Sequence, residues 1–414
     1  VVKTSEPSPI EVDDFPAGAS HLRIAVVTET YPPEVNGVAL SLARLVQGLR
    51  ERDHDVQLVR PRQQPGQGAE SGERFHEVLM RGLPVPRYPG LKMGVPSKAA
   101  LVSLWARRRP DLVHIATEGP LGWSALEAAR RLRLPVSSEF RTNFHTYCRH
   151  YGMGWLARPM LVYLRKFHNR AACTMVPTES VRRELSQIGF ERLLVVPRGV
   201  DTARFDPARR RDDLRAAWGA GPDDPVALYV GRLAPEKNLD LLVLAVTAMQ
   251  QAEPRLCVVI VGDGPGREDL ERRLPTARFA GTRLGLELAE HYASGNVFLF
   301  PSLTETYGNV TAEAMASGLA VVAFHHAAAG QLMRDGVDGS LAAPGDERGF
   351  VDRAVALATD PGARRALGSA ARRAIAACGW DRVVTQVESV MRDVVRQGPP
   401  ARAAEAPFGG VPSL

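Results

Sequence analysis

The sequence predicts an α/β protein made of two doubly wound parallel sheets in series. Three observations carry this: short, nearly continuous apolar runs alternate with segments of helical apolar spacing; the alternation starts afresh after an Arg-, Asp- and Pro-rich stretch at 201–224; and 414 residues, 45% hydrophobic and 24% charged, suffice for two or three domains with cores of their own.

Residues 1–20 are polar with scattered prolines and are expected to be unstructured. Leu22 to Val27 reads as a buried strand, followed by a Pro-rich turn and a helix from Val38 to Leu49. The same unit recurs at Val56–Val59, at Leu112–Ile115 with helix 121–133, at Val136–Ser138, at Thr174–Val176 with helix 179–188, and at Leu193–Val196. The second series runs from strand Val226–Val230 through helix 238–249, strand Cys257–Val261, helix 285–293, strand Val297–Phe300 and helix 309–317, closed by Gly318, to strand Leu319–Ala323. Beyond about 345 the pattern is helical, and Val383, Val384, Val387, Val390, Met391, Val394 and Val395 give the last helix an apolar stripe. These readings divide the chain into a leading segment 1–20, a first Rossmann-like domain 21–203, a second 204–378, a final helix 379–396 and a Pro/Gly/Ala tail 397–414.

Four widely spaced cysteines without a C-x-x-C pair support neither a zinc knuckle nor a disulfide framework, which fits a reducing cytoplasm. No run approaches the roughly 20 apolar residues of a membrane span, and the first twenty residues lack a signal-peptide pattern. The net charge of +6 is too small to indicate nucleic acid as a partner. Its distribution is uneven: residues 121–200 hold 13 Lys/Arg against 5 Asp/Glu. Between Glu139 and Glu179, basic residues such as Arg141, Arg158 and Arg165 alternate with Tyr147, Trp155 and Tyr163. Two uses fit that mixture: a solvated basic helix face beside an anion-binding cleft, or a surface that docks on an anionic membrane leaflet.

In open α/β sheets ligands bind at the carboxyl ends of strands, so the strand-to-helix loops hold the candidate site. The first loop, Thr28 to Asn36-Gly37, opens a helix; its glycine is either an ordinary turn residue or a place for backbone N–H groups to meet a phosphate. The loop after Val230 carries Gly231, Arg232 and Lys237, a fork and a point charge suited to clamping a diphosphate. The Gly262-Asp263-Gly264-Pro265-Gly266 loop lacks G-x-G-x-x-G spacing and is weak evidence for a nucleotide. The strongest signal runs from Pro301 to Met315: Glu305 in the loop, Tyr307, Gly308, Asn309 and Val310 at the helix start, and Glu313 within it. Helix-start N–H groups suit a phosphate, and a carboxylate in the following turns accepts paired sugar hydroxyls. In the first half, Ser138 to His145 follows a strand, and His145 is either a packed histidine or a group on the opposite lip of the cleft.

Gly231-Arg232 with Lys237, the Glu305-x7-Glu313 pair, the Val196-Pro197-Arg198-Gly199-Val200-Asp201 junction and the 261–265 loop resemble the retaining GT-B glycosyltransferases of family 4, over about residues 22–396. The Thr28–Pro33 and Arg141–His145 stretches are similar to its subgroup of mannosyltransferases and sulfolipid synthases. The resemblance implies a nucleotide-sugar (UDP- or GDP-sugar) held by the second domain and a lipid or glycan acceptor held by the first. Arg232 and Lys237 would neutralise the diphosphate without a metal or other cofactor. Glu313 would bind the ribose and Glu305 the transferred hexose. Residues 307–310 would face sugar and phosphate, and Gly37 would let the first loop reach the diphosphate. Arg283, in the Gly281-Thr282-Arg283 turn, would lie against the base, and His145 near the reacting carbon. Helix 380–396 would cross back onto the first domain. Arg87 and Lys92 in the 87–93 loop, with Arg141 and Asn143, are the acceptor-side candidates, with a lipid as the first choice and an anionic membrane surface as a candidate partner. The implied location is cytoplasmic, or peripheral on the inner face of a membrane.

Two departures from the family pattern stand out: Asn36-Gly37 where relatives carry two glycines, and His325 to Gln331 where they carry Gly-Gly and a Glu. The sequence offers no nucleophilic carboxylate, so a front-face transfer is expected, with the leaving diphosphate accepting the acceptor's proton. The alternatives are a nucleotide-sugar hydrolase or epimerase on the same fold, or a catalytically silent binding scaffold. Asp53-His54-Asp55 reads as a turn at the wrong end of the sheet, and His325-His326 lacks a third ligand at metal spacing.

Overall fold

The computed structural model describes residues 21–34, 36–64, 66–85, 88–141 and 154–398. The first half contains β1 (Arg23–Val27), α1 (Gly37–Glu51), β2 (Asp55–Pro61), β3 (Ser71–Gly72), β4 (Phe75–Met80), β5 (Gly82–Val85) and β6 (Tyr88–Gly94). It continues with α2 (Lys98–Arg107), β7 (Leu112–Ile115), α3 (Pro120–Leu132), β8 (Val136–Glu139), α4 (Gly154–His168), β9 (Cys173–Val176), α5 (Glu179–Gln187) and β10 (Leu193–Val195). Its main sheet has the order β10-β9-β8-β7-β1-β2-β4-β3 and is parallel apart from the short β3–β4 pairing, while β5 and β6 form a separate antiparallel hairpin.

The second half contains α6 (Asp212–Trp218), β11 (Val226–Val230), α7 (Leu239–Ala252), β12 (Cys257–Val261), α8 (Arg267–Arg273), β13 (Arg278–Gly281) and α9 (Gly285–Ala293). Then come β14 (Val297–Phe300), α10 (Asn309–Ala316), β15 (Ala320–Phe324), α11 (Ala327–Leu332), β16 (Ser340–Ala342), α12 (Glu347–Thr359), α13 (Pro361–Ile375) and α14 (Trp380–Gln397). Its parallel sheet has the order β13-β12-β11-β14-β15-β16.

The unbroken apolar runs follow from burial on both faces. Along β11, Val226, Leu228 and Val230 enter one core while Ala227 and Tyr229 enter the other; along β1, Ile24 and Val26 divide from Ala25 and Val27 in the same way. A fully buried side chain of this size contributes about 1.5–3 kcal/mol, so covering both faces leaves no room for polar alternation. In each sheet the winding reverses beside the first strand: β1 lies between β2 and β7, and β11 between β12 and β14. Loops leaving such neighbouring strands diverge, and the crevice between them is where ligands bind.

The last helix, α14, packs on the first half. Val383, Val384, Val387, Met391 and Val394 join Leu42, Leu45 and Leu49 of α1 in one core. Arg52 pairs with Asp381 and, at 3.5 Å, with Glu388, which also meets buried His54 at 3.3 Å. Asp53, with φ of 65°, makes the turn between α1 and β2 and pairs with Arg74, while Asp55 pairs with Arg108. Several elements have no counterpart in the sequence reading: β4, the hairpin, α2, α8, β16, and α6 within the stretch read as a bare junction. Arg215 of α6 is buried and donates to the carbonyls of Ser294, Gly221 and Asp224, at 2.6–2.9 Å, so its charge serves packing.

Candidate functional site

The loop after β11 is braced from behind. The N–H groups of Gly231 and Leu233 donate to Val261 and Asp263, at 3.0 and 2.9 Å, and Gly266 N–H donates to Leu233 at 2.8 Å. Gly262 has φ of +137°, and a Cβ there would lie 1.9 Å from the Gly231 carbonyl oxygen. The glycines of the 262–266 loop therefore serve backbone-to-backbone packing that fixes the arm carrying Arg232. The Arg232 guanidinium forms an ion pair with Glu236, whose side chain is buried, and Lys237 Nζ forms one with Glu305. Ser302 Oγ donates to Glu305 Oε1 at 2.9 Å, and Thr304 Oγ1 to the Glu236 carbonyl at 2.9 Å. The loops leaving β11 and β14 are thus joined across the switch point, with Arg232, Lys237 and Glu305 gathered there.

The β14 loop ends at α10. Gly308, at φ of +90°, takes the left-handed conformation that starts the helix at Asn309, and Val310 follows in its first turn. The partial positive charge of a helix N-terminus, about half an elementary charge, is directed into the crevice there. Tyr307 OH donates to the Arg198 carbonyl at 3.0 Å, and the Arg198 guanidinium lies 5.9 Å from the Tyr307 ring centre, tying this loop to the junction between halves. Burial, helped by Arg141, lowers the Arg198 guanidinium to about 10. Glu313 accepts a hydrogen bond from Tyr292 OH at 3.0 Å; burial raises its carboxyl to about 7 against the pull of Tyr292 and Arg204.

Across the crevice, Asn36 caps α1, its Oδ1 accepting from Val38 and Ala39 N–H at 3.1 and 2.8 Å. A Cβ on Gly37 would lie 3.3 Å from Asn309 Nδ2. The first turns of α1 and α10 therefore meet, and two helix N-termini from different halves share one space.

Of the residues singled out in the sequence, Arg232, Lys237, Glu305, Gly231 and the 307–310 turn converge here, and Gly37 faces them from the other half. Glu313 is in the same helix as Asn309. Arg283, after β13, pairs at 3.4 Å with Glu287 on the α9 side. Lys92, on β6, is partly buried. His145, Asn143 and Arg87 lie outside the described residues. Arg141 is largely buried, with Nε 2.5 Å from Glu139 Oε2 and Nη1 donating to Ser41 Oγ at 2.6 Å, and it lines a cavity with Glu139, Arg198 and Trp380. Burial pushes the Glu139 carboxyl up, but Arg141 and His114, 2.8 Å away, outweigh it and hold it down at about 2. Sequence reasoning gave no role to Arg198, Glu236 or Tyr292. Arg198 stood inside a recognised motif, whereas nothing in the spacing marks a helix tyrosine as the partner of a glutamate 21 residues later. Among the described residues no group of three or more His, Cys, Asp or Glu is placed to hold a metal ion, and no helix is long and apolar enough to cross a membrane.

Comparison with known proteins bears on this arrangement. Residues 35–204 match the family described as Glycosyltransferase Family 4, and residues 224–360 match Glycosyl transferases group 1. A GDP-mannose-dependent alpha-mannosyltransferase of Mycolicibacterium smegmatis is 36% identical over 380 residues, covering 89% of this chain and 98% of the relative. The sulfoquinovosyl transferase SQD2 of Arabidopsis thaliana is 31% identical, covering 89% of this chain and 72% of its own. Among solved structures, Anabaena HepE in complex with UDP and glucose superposes with a TM-score of 0.71 at 18% identity, over 90% of this chain and all of the other. The fold is GT-B: two Rossmann-like halves facing a crevice.

Proposed function

Because the chain belongs to glycosyltransferase family 4, we propose that it is a retaining, metal-independent hexosyltransferase, with GDP-mannose as its first candidate donor and a lipid hydroxyl as acceptor. The observation that carries this reading is the convergence of Arg232, Lys237 and the N-terminus of α10 at the β11/β14 switch point, opposite the N-terminus of α1. Two cations, each oriented by a glutamate that a diphosphate would displace or share, and two helix termini offer the donors that a diphosphate leaving group needs, which in other enzymes is the task of a divalent ion. Kinship to relatives named as GDP-mannose-dependent supports that choice of donor.

With the diphosphate in that field, the C1–O bond to the β-phosphate breaks as negative charge builds on the phosphate oxygen. Arg232 and Lys237 stabilise that charge, their resting partners Glu236 and Glu305 having kept them oriented beforehand. The acceptor hydroxyl bonds to C1 on the face the phosphate leaves and gives its proton to the departing phosphate oxygen, so the anomeric configuration is kept. Glu305, released by Lys237, accepts hydrogen bonds from the hexose hydroxyls, and Glu313 accepts them from the ribose.

The lipid acceptor is supported on the first half. Leu83 and Met93 face each other across the β5–β6 hairpin and are exposed, next to Lys92. Gly94, at the end of that hairpin, donates to Glu29 at 2.6 Å, which places the hairpin beside the β1 loop. On α4, exposed Val162 stands among Arg158, Arg165 and Lys166. Apolar side chains flanked by cations suit an amphiphile with an anionic or hydroxylated head.

The test is turnover of GDP-mannose and UDP-glucose with and without a lipid extract, in excess EDTA, with the product anomer assigned by NMR. Acceptor-dependent, chelator-resistant formation of an α-mannoside supports the proposal. Inverted product, loss of activity with EDTA, or donor hydrolysis without an acceptor product contradicts it.

A further inference from the structure

Among the groups the proposed mechanism leaves unused is a phenol buried at the edge of the site. Tyr292, in α9, is wholly buried; the rings of Phe205 and Phe298 pack against it with centroids 5.6 and 5.7 Å away. Its hydroxyl donates to Glu313 Oε2 at 3.0 Å. α9 precedes β14 in the chain and α10 follows it, and the two helices share one core on the same face of the sheet, so this bond ties two neighbouring helices together.

We propose that Tyr292 is a positioning residue for ribose recognition: by fixing Oε2 of Glu313 it presents the remaining oxygen to a nucleoside diphosphate's ribose hydroxyl in a single orientation. The role rests on the reading of Glu313 as the ribose ligand. A glutamate without this anchor has three side-chain torsions to order when a nucleotide arrives, and the ordering cost lowers affinity. The Tyr292 ring is fully buried against Phe205 and Phe298, which confine the anchor. Burial and the neighbouring Glu313 push the phenol well above its ordinary value, so it stays a donor throughout the working pH range.

The experiment compares full-length wild type, Tyr292→Phe and Glu313→Gln, using GDP, 2′-deoxy-GDP and 3′-deoxy-GDP as probes by calorimetry, with steady-state kinetics on GDP-mannose. Tyr292→Phe keeps the ring and its packing. It is expected to weaken GDP about 5–20-fold, to raise KM with kcat nearly unchanged, and to reduce the discrimination against one deoxy analogue. That loss is the scale of ordering one rotamer-rich side chain on binding. Equal weakening for GDP and both deoxy analogues overturns the positioning role, because only general distortion does that. Unchanged GDP affinity in Tyr292→Phe, with weakening in Glu313→Gln, overturns the positioning role and spares the ribose reading. Unchanged affinity in Glu313→Gln overturns the ribose reading itself.

Discussion

Replacing Glu313 by Gln is expected to stabilise the unliganded protein while impairing its binding of nucleotide. Burial lifts the Glu313 carboxyl from 4.5 to about 7, and at about 1.36 kcal/mol per tenfold change in proton affinity that gap is worth roughly 3 kcal/mol. The sign follows from proton linkage: the folded protein binds this proton more tightly than the unfolded chain, so stability is full below about pH 4.5 and is lost as pH rises through about 7. Gln carries no charge to desolvate and still accepts from Tyr292 OH, so the variant escapes the loss. At about pH 8.5 its melting temperature is expected to exceed that of wild type by about 5–10 °C if the second half unfolds as one unit, and at about pH 5 the two are expected to coincide. GDP affinity in wild type is expected to fall as pH drops below about 7, where the carboxylate loses its charge, and to be lower and flat with pH in the variant. Differential scanning fluorimetry at the two pH values, with and without GDP, reads both effects. A variant less stable than wild type at the higher pH, or a difference that does not change with pH, refutes the argument that burial outweighs Tyr292 and Arg204 at this carboxylate.

Lys237→Ala removes one of the two cations and is expected to lower kcat about 10²–10³-fold, as loss of one preorganised charge donor does; a rate within threefold of wild type in a donor-saturated assay contradicts the clamp. Gly262→Ala forces a Cβ against the Gly231 carbonyl, 1.9 Å away in the present backbone, and so displaces the Arg232 arm; the donor KM is expected to rise with the fold intact by circular dichroism. Met391→Ala opens a cavity beneath α14 in the core shared with α1 and is expected to cost about 2–5 kcal/mol in denaturant unfolding.

Much of this molecule was legible because strands buried on both faces cannot vary. β11, β12 and β14 read as apolar runs with the bounds they have in the structure, and the loops at their carboxyl ends carry Arg232, Lys237, Glu305 and the 307–310 turn. The stretch from 62 to 111 was not legible. There β4 sits toward the sheet's edge with only alternate burial, and the hairpin's Leu83 and Met93 face outward, so neither leaves a strong apolar pattern. The surroundings of Arg141 were hidden for a related reason: its guanidinium lies against Glu139, and no spacing rule discloses a partner on the preceding strand end. The glycines of 262–266 were weak evidence for a nucleotide, and the structure gives them contact between backbones. Tyr292 and Glu313 illustrate the general limit, since a bond between two helices packed on the same sheet face depends on tertiary packing alone.

A crystal structure with GDP bound measures the central claim most directly. The β-phosphate is expected within hydrogen-bonding reach of Arg232, Lys237 and the N–H groups at 308–310, with the ribose on Glu313 and no metal ion bridging the phosphates. A diphosphate seated away from the β11/β14 crevice, or one held through a divalent ion with Arg232 and Lys237 still locked to their glutamates, would contradict it.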